Sequence, residues 1–280
     1  MLNRKVQRVV INGGLGNQMF QYAFYLSLKH KGHTCILDNN MFSYVKMHSG
    51  YELEKVFGIQ ETKCTSSLFH RLQLKLIYKY KPSRLVFKEQ PYEYCNDAYE
   101  SSCWYYVGVW IHPSYFQGIE TELRKAFRFI SINDKNIGFS NELKDTESVS
   151  LHIRRGDYLN FSKYNVCTEE YYKKAINNFL DSVDNPVFIV FSDDPDWCKS
   201  YLKQFNVNYK IVDWNKGQDS FQDMFLMSQC KHNIIANSTF SWWGAWLNQN
   251  ESKVVIAPSE WTKNHSMNYT LPNWSFINLK

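Results

Sequence analysis

The chain has 280 residues, enough for one large domain or two of roughly 100–150 residues, and 44% of its side chains are hydrophobic. Its 32 basic and 27 acidic residues leave a net charge of +5, too mild to argue for nucleic acid but suited to an anionic substrate. The seven cysteines are scattered without a C-x-x-C pair, and no apolar run is long enough to span a membrane. These features predict a soluble, cytoplasmic protein with reduced thiols and no structural zinc.

The first legible elements form a strand, a turn and a helix. Val6 to Ile11 reads as a strand, Asn12-Gly13-Gly14-Leu15-Gly16-Asn17 as a glycine turn, and Gln18 to His30 as a helix. Thr34 to Asp38 reads as a second strand, completing a βαβ unit. The turn partly matches the dinucleotide fingerprint, and Asp38 stands where a ribose-binding acid would. However, Met19 takes the place of the third glycine, which leaves an oxidoreductase as an alternative. Asn17 and Gln18 instead offer amide donors and acceptors suited to sugar hydroxyls.

Residues 40–140 give no firm boundaries, and the division between two lobes is expected near residue 145. Within this region, Lys63 to Lys88 carries seven Lys or Arg and no acid. Arg71, Lys75 and Lys79 lie beside a Leu68, Leu72, Leu76 stripe. The pattern fits a solvated helix face, or peripheral contact with an anionic membrane surface on the inner side.

The second half has a regular rhythm. Strands are expected at Val149–Ile153, Pro186–Phe191, Tyr209–Asp213, Asn233–Ala236 and Lys253–Ala257. Helices are expected at Thr168–Phe179, from Pro195, at Asp219–Cys230 and at Thr239–Asn248. Such alternation predicts a parallel α/β sheet, whose ligands bind at the carboxyl ends of the strands where helix N-termini also point.

Three polar clusters follow strands in this half. His152-Ile153-Arg154-Arg155-Gly156-Asp157-Tyr158 places His152 and Arg154 on one side of a strand, and Arg154 can fork onto a diphosphate. Arg155 and Asp157 fit a structural ion pair. Ser192-Asp193-Asp194-Pro195-Asp196-Trp197 contains D-x-D, a metal–diphosphate pattern, but Asp before Pro is also a common helix start. Asn237-Ser238-Thr239-Phe240-Ser241 puts hydroxyls and backbone amides at a helix N-terminus, which suits an anion; Trp242 and Trp243 read as core.

GGLGNQMFQYA (13–23), HIRRGDY (152–158), FSDDPDW (191–197) and ANSTFSWWGAW (236–246) together resemble the α-1,2-fucosyltransferase family, including its bacterial members. The resemblance implies an α/β fold of GT-B type, with two facing Rossmann-like lobes. These would be an acceptor-side lobe at 1–145 and a GDP-fucose-binding parallel-sheet lobe at 146–280. It also implies inverting transfer of fucose from GDP-fucose to the 2-hydroxyl of a terminal galactose, without a required metal or other cofactor. By position in the motifs, Arg154 would hold the β-phosphate and His152 would lie near the guanine, which Asp223, on the helix before the fourth motif, would also contact. Ser238, Thr239 and Phe240 would line the diphosphate. Gly14 and Asn17 would face the donor from the other lobe.

Such chemistry needs relief of charge on departing GDP and removal of a proton from the acceptor. Arg154 and helix-terminal amides serve the first need. For the second, Asp157 lies in the motif, Asp38 and Glu52 are alternatives, and a dissociative transition state needs only a weak base. The metal-dependent alternative would use Asp194 and Asp196.

Overall fold

The computed structural model describes residues 6–43, 49–60, 72, 75–76, 79–80, 82, 84–267, 271 and 274–279, with only the backbone of Asp157. The chain divides into two compact units, Met1–Ile130 and Ser131–Lys280.

In the first unit, β1 (Gln7–Val10), β2 (Cys35–Asp38), β3 (Val86–Lys88) and β4 (Tyr105–Val107) form a parallel sheet in the order β2-β1-β4-β3. The helix α1 (Leu15–His30) starts three residues before the expected Gln18 and is buried nearly all round. A helix apolar on every side belongs inside a unit rather than on its surface. Phe24 stacks on Trp110 at 3.8 Å and meets Tyr106 and Tyr115 edge-on, so the heavy aromatic content serves the core here.

The glycine turn is closed from within. Gly13 has φ +78°, and a Cβ there would sit 2.7 Å from Asn17 Nδ2, so glycine is required. The Gln18 side-chain amide donates to the carbonyls of Gly13 and Gly50 and accepts from the Glu52 backbone N–H. Gln21 likewise joins Asn12 to Gly108. These wholly buried amides hold together the loops at the carboxyl end of the sheet. Gln18 is therefore a clamp rather than the hydroxyl reader its position suggested.

The second unit is built on β5 (Ser148–Ile153), β6 (Val187–Ser192), β7 (Asn208–Val212), β8 (His232–Ile234), β9 (Val255–Pro258) and β12 (Trp274–Ile277). These six strands are parallel and lie in the order β12-β9-β8-β5-β6-β7. A short antiparallel pair, β10 (Glu260–Thr262) and β11 (His265–Ser266), intervenes before β12. Five of the six strands, and all four helices expected between them, appear within a few residues of the expected bounds.

The remaining helices of the chain are α2 (Leu53–Phe57), α3 (Asp97–Glu100), α4 (Glu120–Ala126), α5 (Asp134–Lys144), α6 (Glu169–Ser182), α7 (Pro195–Leu202), α8 (Phe221–Gln229) and α9 (Thr239–Leu247). On one face of the second sheet, Val149, Leu151 and Ile153 pack against Tyr171, Phe179 and Leu202. On the other, Ile189, Phe191 and Val212 pack against Phe139, Leu143 and Met227. Each such fully buried large side chain stabilises by roughly 1.5–3 kcal/mol. Phe139 and Leu143 lie on α5, so that helix belongs to the second unit. The second compact unit accordingly begins at Ser131.

Trp242, Trp243 and Trp246 are buried in α9, as core. None of the described cysteines forms a disulfide; Cys64 lies outside the described residues. Arg71 and Leu68 of the basic segment also lie outside them, whereas Leu72, Lys75, Leu76 and Lys79 are exposed. Among the described residues, no helix is long and apolar enough to cross a membrane.

Candidate functional site

Because β8, β5 and β6 lie side by side, the loops leaving their carboxyl ends meet. Arg154 follows β5 and Asp193 follows β6. Arg154 Nη1 lies 3.0 Å from Asp193 Oδ2, and the guanidinium carbon lies 5.4 Å from the centre of the Tyr158 ring. The other oxygen of Asp193 accepts the Arg155 backbone N–H at 2.9 Å. One carboxylate thus fixes both the side chain of Arg154 and the backbone beside it. Charge-assisted bonds of this kind are short and directional, so they orient the guanidinium as well as balance its charge.

Arg155 does form a structural ion pair, but with Asp194 at 3.3 Å; it also lies 3.9 Å over the Trp197 ring. The side chain of Asp157, the partner expected from sequence, lies outside the described residues, and its backbone opens a 3-10 turn. The first oxygen of Asp194 accepts the Trp197 backbone N–H, capping α7 ahead of Pro195. Asp196 pairs with Lys199 at 3.1 Å. The D-x-D carboxylates therefore serve as a cap and ion-pair partners in this arrangement.

Gly156 has its own reason to be glycine. A Cβ there would stand 2.5 Å from Asp193 Oδ2. Since the carboxylate end must swing aside, Gly156→Ala should draw Asp193 away from Arg154. It should lower kcat by about 10-fold, since roughly 1.4 kcal/mol of lost orientation equals a factor of ten, whatever small change in melting temperature accompanies it. Steady-state kinetics alongside a thermal melt would check this; an unaltered kcat would show that the Asp193 contact does not govern Arg154.

His152 is buried, and its ring centre lies 6.1 Å from that of Phe240. Burial first, and the neighbouring Arg154 second, push its pKa down to about 3, so the ring is neutral. Its Nδ1 is buried without a hydrogen-bond partner. On the same face of β5, Ser148 and Ser150 are both satisfied, by Lys231 N–H and the Asn233 amide. The unsatisfied polar atom therefore lies at the end of the strand where ligands bind in such sheets.

Asn237 holds the β5–α6 loop in place. Its amide donates to the carbonyls of Tyr164 and Trp261, its side-chain oxygen accepts from Cys167 Sγ, and its carbonyl accepts the Tyr158 hydroxyl. Ser238 is the N-cap of α9, accepting the Phe240 backbone N–H at 3.3 Å. Thr239 and Phe240 are half-buried at this helix start. The plain cap reading accounts for Ser238, while the dipole and first-turn amides of a nine-residue helix remain suited to an anion.

Asp223 sits in a second polar cluster, at the start of α8. Its Oδ1 accepts the Asn215 amide at 2.8 Å, and Asn215 and Gln222 are tied to Asn136 of α5. Burial raises the Asp223 carboxyl to about 7, and the Asn215 hydrogen bond opposes this only in part. Asn136 and Asn215 had no signal of their own in the sequence, since each became meaningful only once α5 joined this unit.

The expected residues of the first unit fare differently. Gly14 is the backbone N-cap of α1 with ordinary extended angles, and Asn17 is half-buried in the first turn. Glu52 is buried; burial raises its pKa, Lys55 lowers it, and a hydrogen bond from the Leu15 backbone N–H lowers it further. An internal carboxylate thus already engages the amide where a dinucleotide's pyrophosphate would bind. Asp38 is wholly buried, bonded to Asn40 and 3.8 Å from Arg8. Glu89, unremarked in the sequence, clamps the Val109 and Trp110 amides; burial raises its carboxyl to about 7.

Two parallel-sheet α/β units of this kind define the GT-B fold of glycosyltransferases. The crystal structure of fucosyltransferase NodZ from Bradyrhizobium matches with a TM-score of 0.50, covering 86% of this chain and 92% of that one, at 12% identity. The model of glycosyl transferase family 11 matches residues 2–278, and the chain belongs to that family. An alpha-1,2-colitosyltransferase of Escherichia coli is 36% identical over 91% of this chain and 92% of its own length. A galactoside 2-alpha-L-fucosyltransferase of Mus musculus, Sec1, is 23% identical over 95% of this chain and 68% of its own.

Proposed function

We propose that the protein is an inverting glycosyltransferase that moves L-fucose from GDP-β-L-fucose to the 2-hydroxyl of a terminal galactose, forming an α-1,2 linkage on an oligosaccharide or surface polysaccharide. The observation that carries this reading is Arg154, held by Asp193 next to the loop that starts α9. A guanidinium and first-turn amides neutralise the charge that grows on departing GDP, so no metal is needed. Neutral His152 with its open Nδ1, and Asp223 at the start of α8, receive the guanine. The α-1,2 linkage and the fucose donor are supported by the names of the related enzymes.

The 36% identical relative favours a second donor, GDP-colitose. Colitose lacks the 3-hydroxyl of fucose, which makes the two donors a measure of how the sugar is read. A site that hydrogen-bonds the 3-hydroxyl discriminates by roughly 10⁴–10⁵, whereas a merely apolar wall there discriminates by about 10–200.

The deciding experiment incubates the enzyme with each donor and lactose, with and without EDTA. Transfer of fucose to the galactose 2-hydroxyl that survives EDTA is the expected result. Transfer from GDP-colitose alone would replace the donor, and loss of transfer on chelation would replace the metal-free mechanism with one using Asp194 and Asp196.

A further inference from the structure

The carboxyl end of the second sheet holds a pocket that runs from Arg154 to side chains the donor reading leaves unassigned. It measures about 360 Å³ and is lined by Arg154, Asn165, Thr168, Glu169, Tyr172 and Trp197 among others. That volume lies at the small end of ligand sites, of the order of a single sugar ring with its substituents.

The pocket is preformed. Its back is Tyr172, whose hydroxyl accepts the Arg154 backbone N–H at 3.4 Å. Its loop wall is held by the Asn237 bonds to Tyr164 and Cys167. Its far side is the Arg155 guanidinium over Trp197. Most charges around it are already matched: Arg154 by Asp193, Arg155 by Asp194, and Glu170 by Lys174 at 3.9 Å. The Glu169 carboxylate has no ion-pair or hydrogen-bond partner among the described residues, yet its backbone is fixed, because its carbonyl accepts the Tyr201 hydroxyl at 2.6 Å. Glu169 is the first residue of the 14-residue α6, a first-turn position where an acidic side chain suits the helix dipole.

We infer that this pocket seats the acceptor sugar and that Glu169 is the general base that takes the proton from the attacking hydroxyl. The inference rests on the transferase reading above. In an inverting displacement the acceptor oxygen bonds to the anomeric carbon while the bond from that carbon to the β-phosphate oxygen breaks. The electron pair of the broken bond leaves with GDP, and the hydroxyl proton passes to the Glu169 carboxylate. Attack and departure occur on opposite faces of one carbon, so base and phosphate-holding group stand a few bond lengths apart. Glu169 and Arg154 line the same cavity, the arrangement a base and a phosphate-holding group on either side of one reacting carbon require. The Glu169 carboxylate and the Asn165 amide also suit the hydroxyls of a neutral sugar.

Glu169→Gln tests this, using whichever nucleotide-sugar donor the wild type consumes. Azide provides the discriminating readout, because it is a nucleophile that carries no proton to remove. Transfer to lactose should fall at least ~100-fold, the typical worth of a positioned base. Formation of glycosyl azide and the donor KM should stay within about 3-fold of wild type. Retained transfer to lactose would overturn the assignment while leaving the transferase reading intact. A parallel loss of the azide reaction with a raised donor KM would place the donor sugar in the pocket and overturn it too. A wild type that neither cleaves nor transfers either donor would sink the transferase reading first, and this inference with it.

Discussion

Arg154→Ala should lower kcat/KM for transfer by about 10²–10³-fold while the fold persists. The expected size follows from what a preorganised donor aimed at developing charge supplies, roughly 2.7–4 kcal/mol on the barrier. The fold should persist because Arg154 is about a third exposed and its contact with Asp193 is partly solvated. Ion pairs of that kind contribute roughly 0–1 kcal/mol to stability, so the melting temperature should move by only a few degrees. Arg154→Lys should recover a minor part of the rate, since an ammonium restores the charge without the planar fork that meets two phosphate oxygens. If the alanine variant keeps its rate, the charge on GDP is met elsewhere, and the loop that starts α9 becomes the place to look. Asp193→Asn offers a graded comparison: the arginine stays, but loses its orienting charge.

Much of the second unit could be read from the sequence because its strands carry strong local signals. Val149–Ile153 alternates apolar and polar residues, Val187–Phe191 is an apolar run, and Pro195, Thr168 and Ser238 announce helix starts. β12 escaped notice because only Trp274 of its four residues is buried, so Trp-Ser-Phe-Ile at a sheet edge shows neither alternation nor an apolar run. In the first unit β3 and β4 are three residues long, too short for periodicity to register.

At the site, single residues with intrinsic chemistry were legible and their supports were not. Arg154 and His152 stand out in any reading of HIRRGDY. Asp193 orients Arg154 across 39 residues of sequence, a pairing that only the adjacency of β5 and β6 creates. Gln18 shows the opposite case: an amide in a glycine turn suggests a ligand, until burial reveals that it is bonded to the backbone of Gly13, Gly50 and Glu52.

Asp223→Asn should produce a protein that is more stable at pH 8 and much poorer at using its donor. Burial raises the folded-state carboxyl to about 7 against an ordinary value of 3.8. The group therefore favours the folded state fully below its unfolded pKa, and that contribution is lost as pH rises through about 7. Above that point the folded protein holds a charge in a largely desolvated position, at a cost on the order of a few kcal/mol. Asparagine keeps the shape and can still accept from the Asn215 amide, but carries no charge to bury. Its melting temperature should match wild type near pH 4 and exceed it by several degrees at pH 8.

Function should move the other way. In the proposed donor site the carboxylate accepts the guanine N–H groups together, and asparagine offers one acceptor and one opposing donor. The donor KM should rise by about 10–100-fold, the worth of a hydrogen bond to a charged group left unmade. Wild type should show the same weakness in milder form as pH falls below 7 and Asp223 takes up its proton, whereas the variant's KM should be flat across that range. A wild-type KM that ignores pH, with the stability crossover present, would make Asp223 a buried structural acid and move guanine recognition to His152. Both results together would mean that this helix start gives up stability at neutral pH to keep an ionised carboxylate where the base must bind.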